Sequence, residues 1–277
     1  MRRFLKVPAC RAGAALLALP AALLLAYTGC DREEAVEIRL AFEDEFEGPA
    51  GQLPDTTVWN FDVGTGWGNN QLEYDTDRAE NVYLDGFGHL AITAREESYE
   101  GADYTSGRIH TFGNFDRRYG RFEARIKLPV GQGIWPAFWM LGSDFYRIGW
   151  PDCGEIDIME YRGQEPNVLI GSLHGPGYSG GSAISRRLEL DGPGLNEGYH
   201  VYSIEWGPER IRWMLDGATY HTVTPSDIPA GSSWVFDHPF YIILNVAVGG
   251  NFVGSPDATT EFPQTMLVDW VRVYATY

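Results

Sequence analysis

The chain has 277 residues, of which 21 are Lys or Arg and 38 are Asp or Glu, so its formal net charge is −17. A chain of this length can bury one large core, and an all-β sandwich of this size is usually a single domain. The acidic balance argues against nucleic acid and anionic lipid head groups as partners, and it suits a neutral substrate.

Residues 1–29 have the layout of a secretory signal peptide, because four basic residues within the first eleven precede an apolar, acid-free stretch. The stretch is too short and one-sided for a secure membrane span. The residues that follow it, Tyr27-Thr28-Gly29-Cys30, resemble a bacterial lipoprotein box, in which Cys30 is lipidated and becomes the mature N-terminus. Tyr27 departs from that pattern, which normally has Leu, Val or Ile at its position. We therefore expect an exported protein, either secreted or lipid-anchored at the cell envelope.

Loss of the leader removes four basic residues, which leaves 17 basic against 38 acidic residues and a formal charge of −21. Residues 30–40 then form a short linker, and residues 41–277 form one domain. Cys153 is the only thiol of that domain, so the core must supply its stability without an internal disulfide. We interpret Cys153 as a small buried residue, since no His or Asn is arranged around it to suggest a reactive thiolate.

Period-two alternation recurs along the domain, and no long segment has a helical period. Apolar residues alternate over 90–94 and over 121–128, where every odd position is charged, as in a half-buried antiparallel strand. Residues 211–215 alternate likewise and run into Asp216-Gly217, a strong hairpin signal. A central strand is predicted over Phe240–Val248 and a closing strand over Met266–Tyr274. Many short strands punctuated by Gly and Pro predict an all-β fold, a β-sandwich or jelly roll of two antiparallel sheets.

Aromatic residues are concentrated in the segment 134–141. Trp135 and Trp139 share a parity with Ala137, whereas Phe138 and Met140 take the other. One set is expected to line the core and the other a groove, where indole faces can stack on the CH faces of sugar rings. The alternative is that all these aromatic residues belong to the core.

Three carboxylates lie within six residues, at Glu155, Asp157 and Glu160. In a regular strand Glu155 and Asp157 share one face, while Glu160 points the opposite way with Ile156 and Ile158. One extra residue, a β-bulge just past Asp157, would return Glu160 to the face of the other two acids. Three aligned carboxylates are costly unless they share protons or do chemistry, so acid catalysis is the first hypothesis. The alternatives are unrelated surface acids on an edge strand and a calcium site.

Together these segments resemble glycoside hydrolase family 16, and within it the laminarinase-like endo-1,3-β-glucanases. The likeness runs from about Phe42 to Tyr274 in the family's order. It rests on the following segments: Trp67-Gly68-Asn69-Asn70, Tyr104-Thr105-Ser106-Gly107-Arg108, Gly133-Ile134-Trp135-Pro136-Ala137-Phe138-Trp139-Met140-Leu141, the E-x-D-x-x-E motif at 155–160, Ile204-Glu205-Trp206, and Val268-Asp269-Trp270-Val271-Arg272-Val273-Tyr274.

The resemblance implies a β-jelly roll with a concave substrate cleft and retaining hydrolysis. By the family match Glu155 is the nucleophile, Glu160 the general acid and base, and Asp157 the assistant between them. Retaining glycosidases place two carboxyl groups roughly 5 to 5.5 Å apart. Five steps along a flat strand would separate Glu155 and Glu160 by about 16 Å. The bulge and a bend of the strand are therefore expected to close the gap as well as restore the face.

Around the acids, Trp135, Trp139 and Trp150 are candidate platforms for sugar rings. The candidates for hydrogen bonds to sugar hydroxyls are Asn69, Asn70, Arg108 and His174. Each has a structural alternative: the two asparagines can form a turn, the arginine can pair with an acid, and the histidine can be a satisfied loop residue.

Many family members hold a structural calcium on the convex side. The equivalent ligands in this chain are Asp269 and backbone carbonyls near Glu45 and Gly88. Asp269 shares parity with Leu267 and Val271, so its carboxylate is expected on an otherwise apolar face and needs a partner. A salt bridge to an arginine is the alternative. No cofactor is expected for the chemistry itself.

The sequence therefore predicts an exported, monomeric endo-β-1,3-glucanase that acts on laminarin-like β-glucan. A different family 16 polysaccharidase, such as a mixed-linkage glucanase, agarase or carrageenase, is the alternative within the enzyme class. The shorter E-x-D-x-E motif of lichenases is absent, and an acidic chain suits sulfated substrates poorly. A non-catalytic glucan-binding protein and a legume-lectin-like sandwich are the alternatives outside it.

Overall fold

The computed structural model describes residues 38–276, and most of the regular structure in that part of the chain is β-strand. The strands are β1 (Ile38–Asp44), β2 (Asn60–Asp62), β3 (Glu73–Asp75), β4 (Val82–Leu84), β5 (Leu90–Tyr99), β6 (Ala102–Ser106), β7 (Arg108–His110), β8 (Gly120–Lys127), β9 (Ile134–Gly142), β10 (Glu155–Tyr161), β11 (Val168–His174), β12 (Ile184–Glu189), β13 (His200–Gly207), β14 (Arg210–Leu215), β15 (Ala218–Val223), β16 (Phe240–Val248) and β17 (Gln264–Thr276). Helix α1 has four residues, Phe145–Ile148, and a 3-10 turn spans Gly180–Ser182. Among the helices of the described part, none is long and apolar enough to cross a bilayer.

The strands form two sheets, as the sequence predicts for a jelly-roll sandwich. The larger sheet has ten strands in the order β15-β14-β13-β8-β17-β5-β6-β3, with β1 also paired to β17 and β4 to β5. The smaller sheet has seven strands in the order β12-β11-β10-β9-β16-β7-β2. All the pairings between these strands are antiparallel except that of β3 with β6, which is parallel. The strand with the three acids, β10, therefore lies inside the smaller sheet, between β9 and β11.

The alternating segments form the predicted strands. Strand β8 buries Phe122, Ala124 and Ile126, and β16 has the predicted bounds with every residue buried. Asp216 and Gly217 both have positive φ, 49° and 80°, as a two-residue type I′ hairpin between β14 and β15 requires. The closing strand β17 extends two residues beyond the predicted segment at each end.

The core lies between the facing surfaces of the two sheets. From β9 the smaller sheet contributes Phe138 and Met140, both fully buried, whereas Trp135 and Trp139 lie on the opposite face and are partly exposed. This separates the aromatic residues of β9 into a core set and a groove set, as their parity predicts. The face with the two tryptophans is here called the acid-bearing face, because the three carboxylates project from it.

Candidate active site

The bulge predicted past Asp157 is present on both sides of β10. On one side Asp157 pairs with Trp139 and Met159 with Phe138, so two steps along β10 match one step along β9. On the other side the register between Asp157 and Glu160 also gains one residue relative to β11. Ile158 and Met159 are buried in the core.

The bulge returns Glu160 to the face of the other two acids. Ser172 lies directly opposite Asp157 on β11, and its Oγ donates to Glu160 Oε2 at 3.0 Å. His174 lies opposite Glu155, two residues further along β11 and so on the same face as Ser172. One contiguous patch of the smaller sheet thus carries all three carboxylates.

The backbone of the bulge is held by a residue of the other sheet. Trp213 of β14, fully buried, donates its indole N–H to the carbonyl oxygen of Asp157 at 2.8 Å. The indole reaches this oxygen because Gly171 of β11 lies in its path without a side chain: a Cβ there would lie 2.6 Å from the Trp213 ring. Alternation along β14 indicates a core position for Trp213 but gives no sign of this contact with a strand 56 residues away.

The three acids have different surroundings. Glu155 is partly exposed, and the indole N–H of Trp150 donates to its Oε2 at 2.9 Å. Asp157 and Glu160 are buried, with exposed fractions of 4% and 8%. Glu155 is thus the most solvent-accessible of the three acids, and Asp157 and Glu160 lie deeper in the protein.

Burial dominates the electrostatics of the two deeper acids. It raises the pKa of Glu160 to about 7; the charge of Glu155 adds to this, whereas His174 and Ser172 lower it. Burial also raises the pKa of Asp157 well above its usual range, with further contributions from the charges of Glu155 and Glu160. Both side chains can therefore hold a proton close to neutral pH.

His174 lies against the acids rather than on a free loop. Its Nε2 lies 3.0 Å from Asp157 Oδ2 and 3.5 Å from Glu155 Oε1, and its Nδ1 accepts the backbone N–H of Gly180 at 3.0 Å. That bond requires a lone pair on Nδ1 and so assigns the proton of the neutral ring to Nε2. Burial alone lowers the pKa of His174, but the carboxylates outweigh it and raise the pKa to about 9. Only the neutral ring, above about pH 9, therefore accepts the Gly180 N–H on Nδ1; protonation of Nδ1 at lower pH removes this contact.

The candidate platforms line the same face. Trp150 is 45% exposed and lies beside His174, with 6.0 Å between ring centroids. Trp139 donates its indole N–H to Asn245 Oδ1 at 2.8 Å, and Trp135 packs on Phe252 at 4.7 Å. All three tryptophans therefore border the acid-bearing face, with part of each side chain accessible.

Arg108 is also on this face, but an acid holds it. Its guanidinium lies between the rings of Trp67 and Trp139, 5.1 and 4.9 Å from their centroids, and its Nε donates to Asp62 at 2.7 Å. Asp62 faces Arg108 across the β2–β7 pair, a partner that the sequence analysis missed. Only the guanidinium nitrogens of Arg108 that do not bind Asp62 can donate hydrogen bonds to sugar hydroxyls.

Asn69 and Asn70 form a turn, with left-handed φ angles of 54° and 55°. The side chain of Asn70 donates to Asn251 at 3.0 Å, and the carbonyl of Asn69 accepts the backbone N–H of Asn251 at 2.8 Å. Both asparagines are exposed, and these contacts tie them to the loop after β16 instead of to the acids. The structure thus favours the turn alternative for this pair.

A second buried carboxyl pair lies near Arg108. Glu73 and Asp75 of β3 are each 1% exposed, and Glu73 accepts the backbone N–H of Val248 at 2.8 Å. Burial raises the pKa of Glu73 to about 7, although that hydrogen bond and the charge of Arg108 lower it. This pair is not among the predicted site residues.

Of the proposed calcium ligands, the Asp269 carboxylate is engaged by an arginine. Asp269 is the extra residue of a bulge in β17, since Val268 pairs with Ile126 and Trp270 with Arg125. The expectation that Asp269 shares the core face is therefore wrong, because the bulge reverses the parity on either side of it.

The carboxylate of Asp269 instead forms an ion pair with Arg125, and that of Glu45 binds Arg272 through two contacts of 2.7 and 2.9 Å. Gly88 lies in the turn before β5. A guanidinium beside Asp269 repels a divalent cation, so these side chains favour the salt-bridge alternative over calcium.

The two remaining cysteine predictions differ in outcome. Cys153 is fully buried, and burial raises the pKa of its thiol to about 12, which fits the interpretation as a core residue. Cys30, and with it the lipid anchor, lies outside the described residues.

Comparison with known proteins identifies a matching family and similar proteins. The sequence model described as "Glycosyl hydrolases family 16" matches residues 62–272. The chain is 43% identical over 260 residues to the beta-glucanase of Rhodothermus marinus, which covers 89% of this chain and 88% of that protein. It is 38% identical over 265 residues to glucan endo-1,3-beta-glucosidase A1 of Niallia circulans, which covers 86% of this chain but 38% of that longer protein. The solved structure of the endo-beta-1,3-glucanase from Pyrococcus furiosus matches with a TM-score of 0.82 at 47% identity, over 88% of this chain and 97% of that chain.

Proposed function

Because the chain belongs to family 16 of the glycosyl hydrolases, we propose that it is a retaining endo-β-1,3-glucanase in which Glu155, Asp157 and Glu160 perform the chemistry. The observation that carries the assignment of residues is the bulge in β10, which gathers three carboxylates on one face of the smaller sheet. The glucanase names of the relatives support the substrate class.

In the first step Glu155 attacks the anomeric carbon while Glu160 gives its proton to the departing glycosidic oxygen, and a glycosyl ester forms on Glu155. In the second step Glu160 takes a proton from water, and the resulting attack on the anomeric carbon releases Glu155. Net, one water molecule is consumed and the anomeric configuration is retained.

The surroundings of the acids support this division of roles. Glu160 is buried and its pKa is raised to about 7, as suits a general acid that must hold a proton at neutral pH. Glu155 is nearer to solvent and receives a hydrogen bond from Trp150, which steadies an oxygen of the proposed nucleophile. Asp157, buried with a raised pKa, can share a proton with Glu155.

The tryptophans of the acid-bearing face are the proposed sugar platforms. Trp135, Trp139 and Trp150 border the acids with part of each ring exposed, so pyranose CH faces can stack on them. Arg108 can offer its remaining N–H groups to sugar hydroxyls, since Asp62 and two indole rings fix its plane. A binding-only role is disfavoured because the proposed nucleophile and the proposed acid are both in place.

The test is a comparison of reducing ends released from laminarin, lichenan and agarose. The wild type is expected to act on laminarin, with β-anomeric products in early NMR spectra. Glu155→Gln is expected to stay folded, to bind laminarin and to release no products. Glu209→Gln, in the exposed turn between β13 and β14, is the matched control and should keep full activity. Near-normal turnover by Glu155→Gln would refute the assignment, and preferred release from lichenan or agarose would favour another polysaccharidase.

We also propose that the chain is exported and that Cys30 carries a lipid. The support is the basic and apolar leader followed by the lipoprotein-like box. Mass spectrometry of the mature N-terminus is expected to find lipidated Cys30, and Cys30→Ala should release the protein from the membrane fraction. A mature chain that starts elsewhere without lipid would contradict the anchor but leave export intact.

A further inference from the structure

A chain of two serine hydroxyl groups leads from Glu160 to the protein surface. Ser172 of β11 donates from its Oγ to Glu160 Oε2 at 3.0 Å, and Ser185 of β12 donates from its Oγ to Ser172 Oγ at 2.9 Å. Ser172 is 2% exposed, whereas Ser185 is exposed. The buried carboxyl group is therefore linked to solvent at the edge of the smaller sheet, where β12 is the last strand.

The register of the smaller sheet accounts for both hydrogen bonds. Ser185 lies directly opposite Ser172 across the β11–β12 pair, and Ser172 lies opposite Asp157 across the β10–β11 pair. Opposite side chains of antiparallel strands have Cβ atoms about 4.5 to 5.5 Å apart, which suits a hydrogen bond between two hydroxyl groups. The bulge in β10 then brings Glu160 within reach of Ser172. The backbone irregularity that gathers the acids thus also attaches Glu160 to the serines.

The direction of the two hydrogen bonds decides which oxygen of Glu160 can hold a proton. A serine hydroxyl has one proton to donate and accepts through its lone pairs. Because Ser172 accepts from Ser185, its own proton points at Glu160 Oε2, and successive hydrogen bonds of one direction strengthen each other. Since Oε2 is then an acceptor, the carboxyl proton resides on Oε1. The opposite direction would place that proton on Oε2, where it would be donated to Ser172 instead of to a substrate.

From this geometry we propose that Ser172 and Ser185 are positioning residues, which fix the Glu160 carboxyl group with its proton on Oε1 for transfer to the glycosidic oxygen. The proposal rests on the proposed function, because it concerns the proton that Glu160 gives to the departing oxygen. Ser172 acts directly on the carboxyl group, and Ser185 acts through Ser172. The proton leaves Oε1 as the glycosidic C–O bond breaks, and water returns one to Oε1 when the glycosyl ester of Glu155 is hydrolysed. The two serines neither gain nor lose a proton over the cycle.

Other groups also act on the charge of Glu160. The titratable side chains that interact electrostatically with it are Glu155 and Asp157 on β10, His174 on β11 and Tyr220 on β15. Arg187 of β12 lies in the same row of the sheet as Glu160, across Ile170, but its guanidinium binds Glu165. Removal of a serine hydroxyl group leaves all these side chains in place. Serine variants therefore isolate the effect of the hydrogen bonds.

The first test compares serine variants on two substrates. The leaving group of laminarin needs a proton from Glu160, whereas the leaving group of a dinitrophenyl β-glycoside of laminaribiose departs without one. Ser172→Ala is expected to lower kcat/KM on laminarin about 10- to 100-fold, because general acid catalysis contributes a factor of about 10² to 10⁴ and the carboxyl group remains present but misdirected. On the aryl glycoside kcat/KM should be nearly unchanged, since this parameter reports the first step.

The second test measures the titration of Glu160 itself. Burial raises the pKa of Glu160 to about 7, and the hydrogen bond from Ser172 lowers it because the donor stabilises the charged form. In Ser172→Ala the pKa of Glu160 should therefore rise by about one pH unit, and the alkaline limb of kcat/KM should move to higher pH with it. Carbon NMR of the full chain, isotopically labelled at the glutamate carboxyl groups, measures this pKa without a substrate. Glu160→Gln assigns the resonance.

Ser185 separates positioning from packing, because it is exposed and its replacement leaves no buried cavity. Ser185→Ala should lower kcat/KM on laminarin in the same direction as Ser172→Ala but by a smaller factor. Ser185→Thr keeps a hydroxyl group and should restore the activity. Ser203→Ala is the matched control, since Ser203 is 1% exposed in β13 of the larger sheet, and it should keep wild-type kinetics and the wild-type titration of Glu160.

Three results would overturn the proposal. They are equal losses of kcat/KM on both substrates in Ser172→Ala, a pKa of Glu160 that does not rise in that variant, and a loss in Ser203→Ala as large as in Ser172→Ala. If circular dichroism shows that Ser172→Ala does not fold, the two Ser185 variants decide, and equal activity of these two would refute the proposal. A wild type that hydrolyses neither substrate, with a Glu160 pKa that still depends on Ser172, would count against the glucanase assignment and leave the serine chain standing.

Discussion

Replacement of Trp213 by Phe tests whether the larger sheet holds the catalytic bulge in shape. The variant keeps an aromatic ring but removes the indole N–H that the Asp157 carbonyl accepts at 2.8 Å. Leaving this buried carbonyl without a donor costs about 1 to 3 kcal/mol. The bulge can relieve that cost by turning the carbonyl elsewhere, which would move Glu160 away from Glu155.

Misplacement of a reacting group by about 1 Å can cost a factor of about 100 in rate. We therefore expect Trp213→Phe to lower kcat on laminarin about 10- to 100-fold with little change in KM. Gly171→Ala should act in the same direction, because the added methyl group would meet the Trp213 ring at 2.6 Å.

Trp206→Phe is the matched control. Trp206 is a buried tryptophan of the same sheet, and it donates to the backbone carbonyl of Phe236 at 3.1 Å, away from the acids. Both Trp→Phe variants should lose similar stability in urea unfolding, but only Trp213→Phe should lose kcat. Equal kcat values in the two variants would show that the cross-sheet hydrogen bond does not position the acids.

Three further outcomes are expected. The pKa of about 7 on Glu160 means that the proposed acid keeps its proton below pH 7 and loses it above, so kcat/KM should fall along an alkaline limb near pH 7; a limb that starts only above pH 9 would contradict this. The pKa of Glu73 is about 7 in the folded protein against an ordinary value of 4.5, so between these pH values the folded state holds a proton that the unfolded state has lost. The free energy of unfolding therefore falls as the pH rises from 4.5 to 7, by up to about 3 kcal/mol. Glu73→Gln should therefore raise the Tm at pH 8 but leave it nearly unchanged at pH 4, and equal shifts at both would argue against a titrating Glu73. Because Arg125 neutralises Asp269, EDTA should leave the Tm of the wild type unchanged, whereas a clear fall would restore the calcium prediction.

The sequence predicts the acid patch well because of a parity conflict. In a regular strand Glu160 would lie on the face opposite Glu155 and Asp157, whereas its neighbours Ile158 and Met159 both require the core face. One inserted residue puts all three acids on one face and keeps Ile158 and Met159 in the core, so the bulge can be predicted from the local pattern. The bounds of β16 are equally predictable, since an unbroken apolar run ends at two glycines.

The prediction drawn from the same kind of conflict at Asp269 is wrong. A polar residue at an apolar parity is explained equally well by a buried partner or by a bulge, and nothing near Asp269 distinguishes the two. The contact of Trp213 with the Asp157 carbonyl could not be predicted either, because it joins two sheets whose relative placement no local pattern encodes. The pairing of Arg108 with Asp62 likewise depends on strand register between segments 46 residues apart.

Because Cys153 is buried, the reactivity of its thiol can be used to measure local opening of the structure around it. The thiol lies two residues before Glu155 and is fully enclosed, and its raised pKa keeps the reactive thiolate scarce. A thiol reagent can therefore label Cys153 only when the strand end beneath the active site detaches from its neighbours. Comparison of the labelling rates with and without a bound oligosaccharide would show how much glucan binding reduces local opening of this part of the sheet.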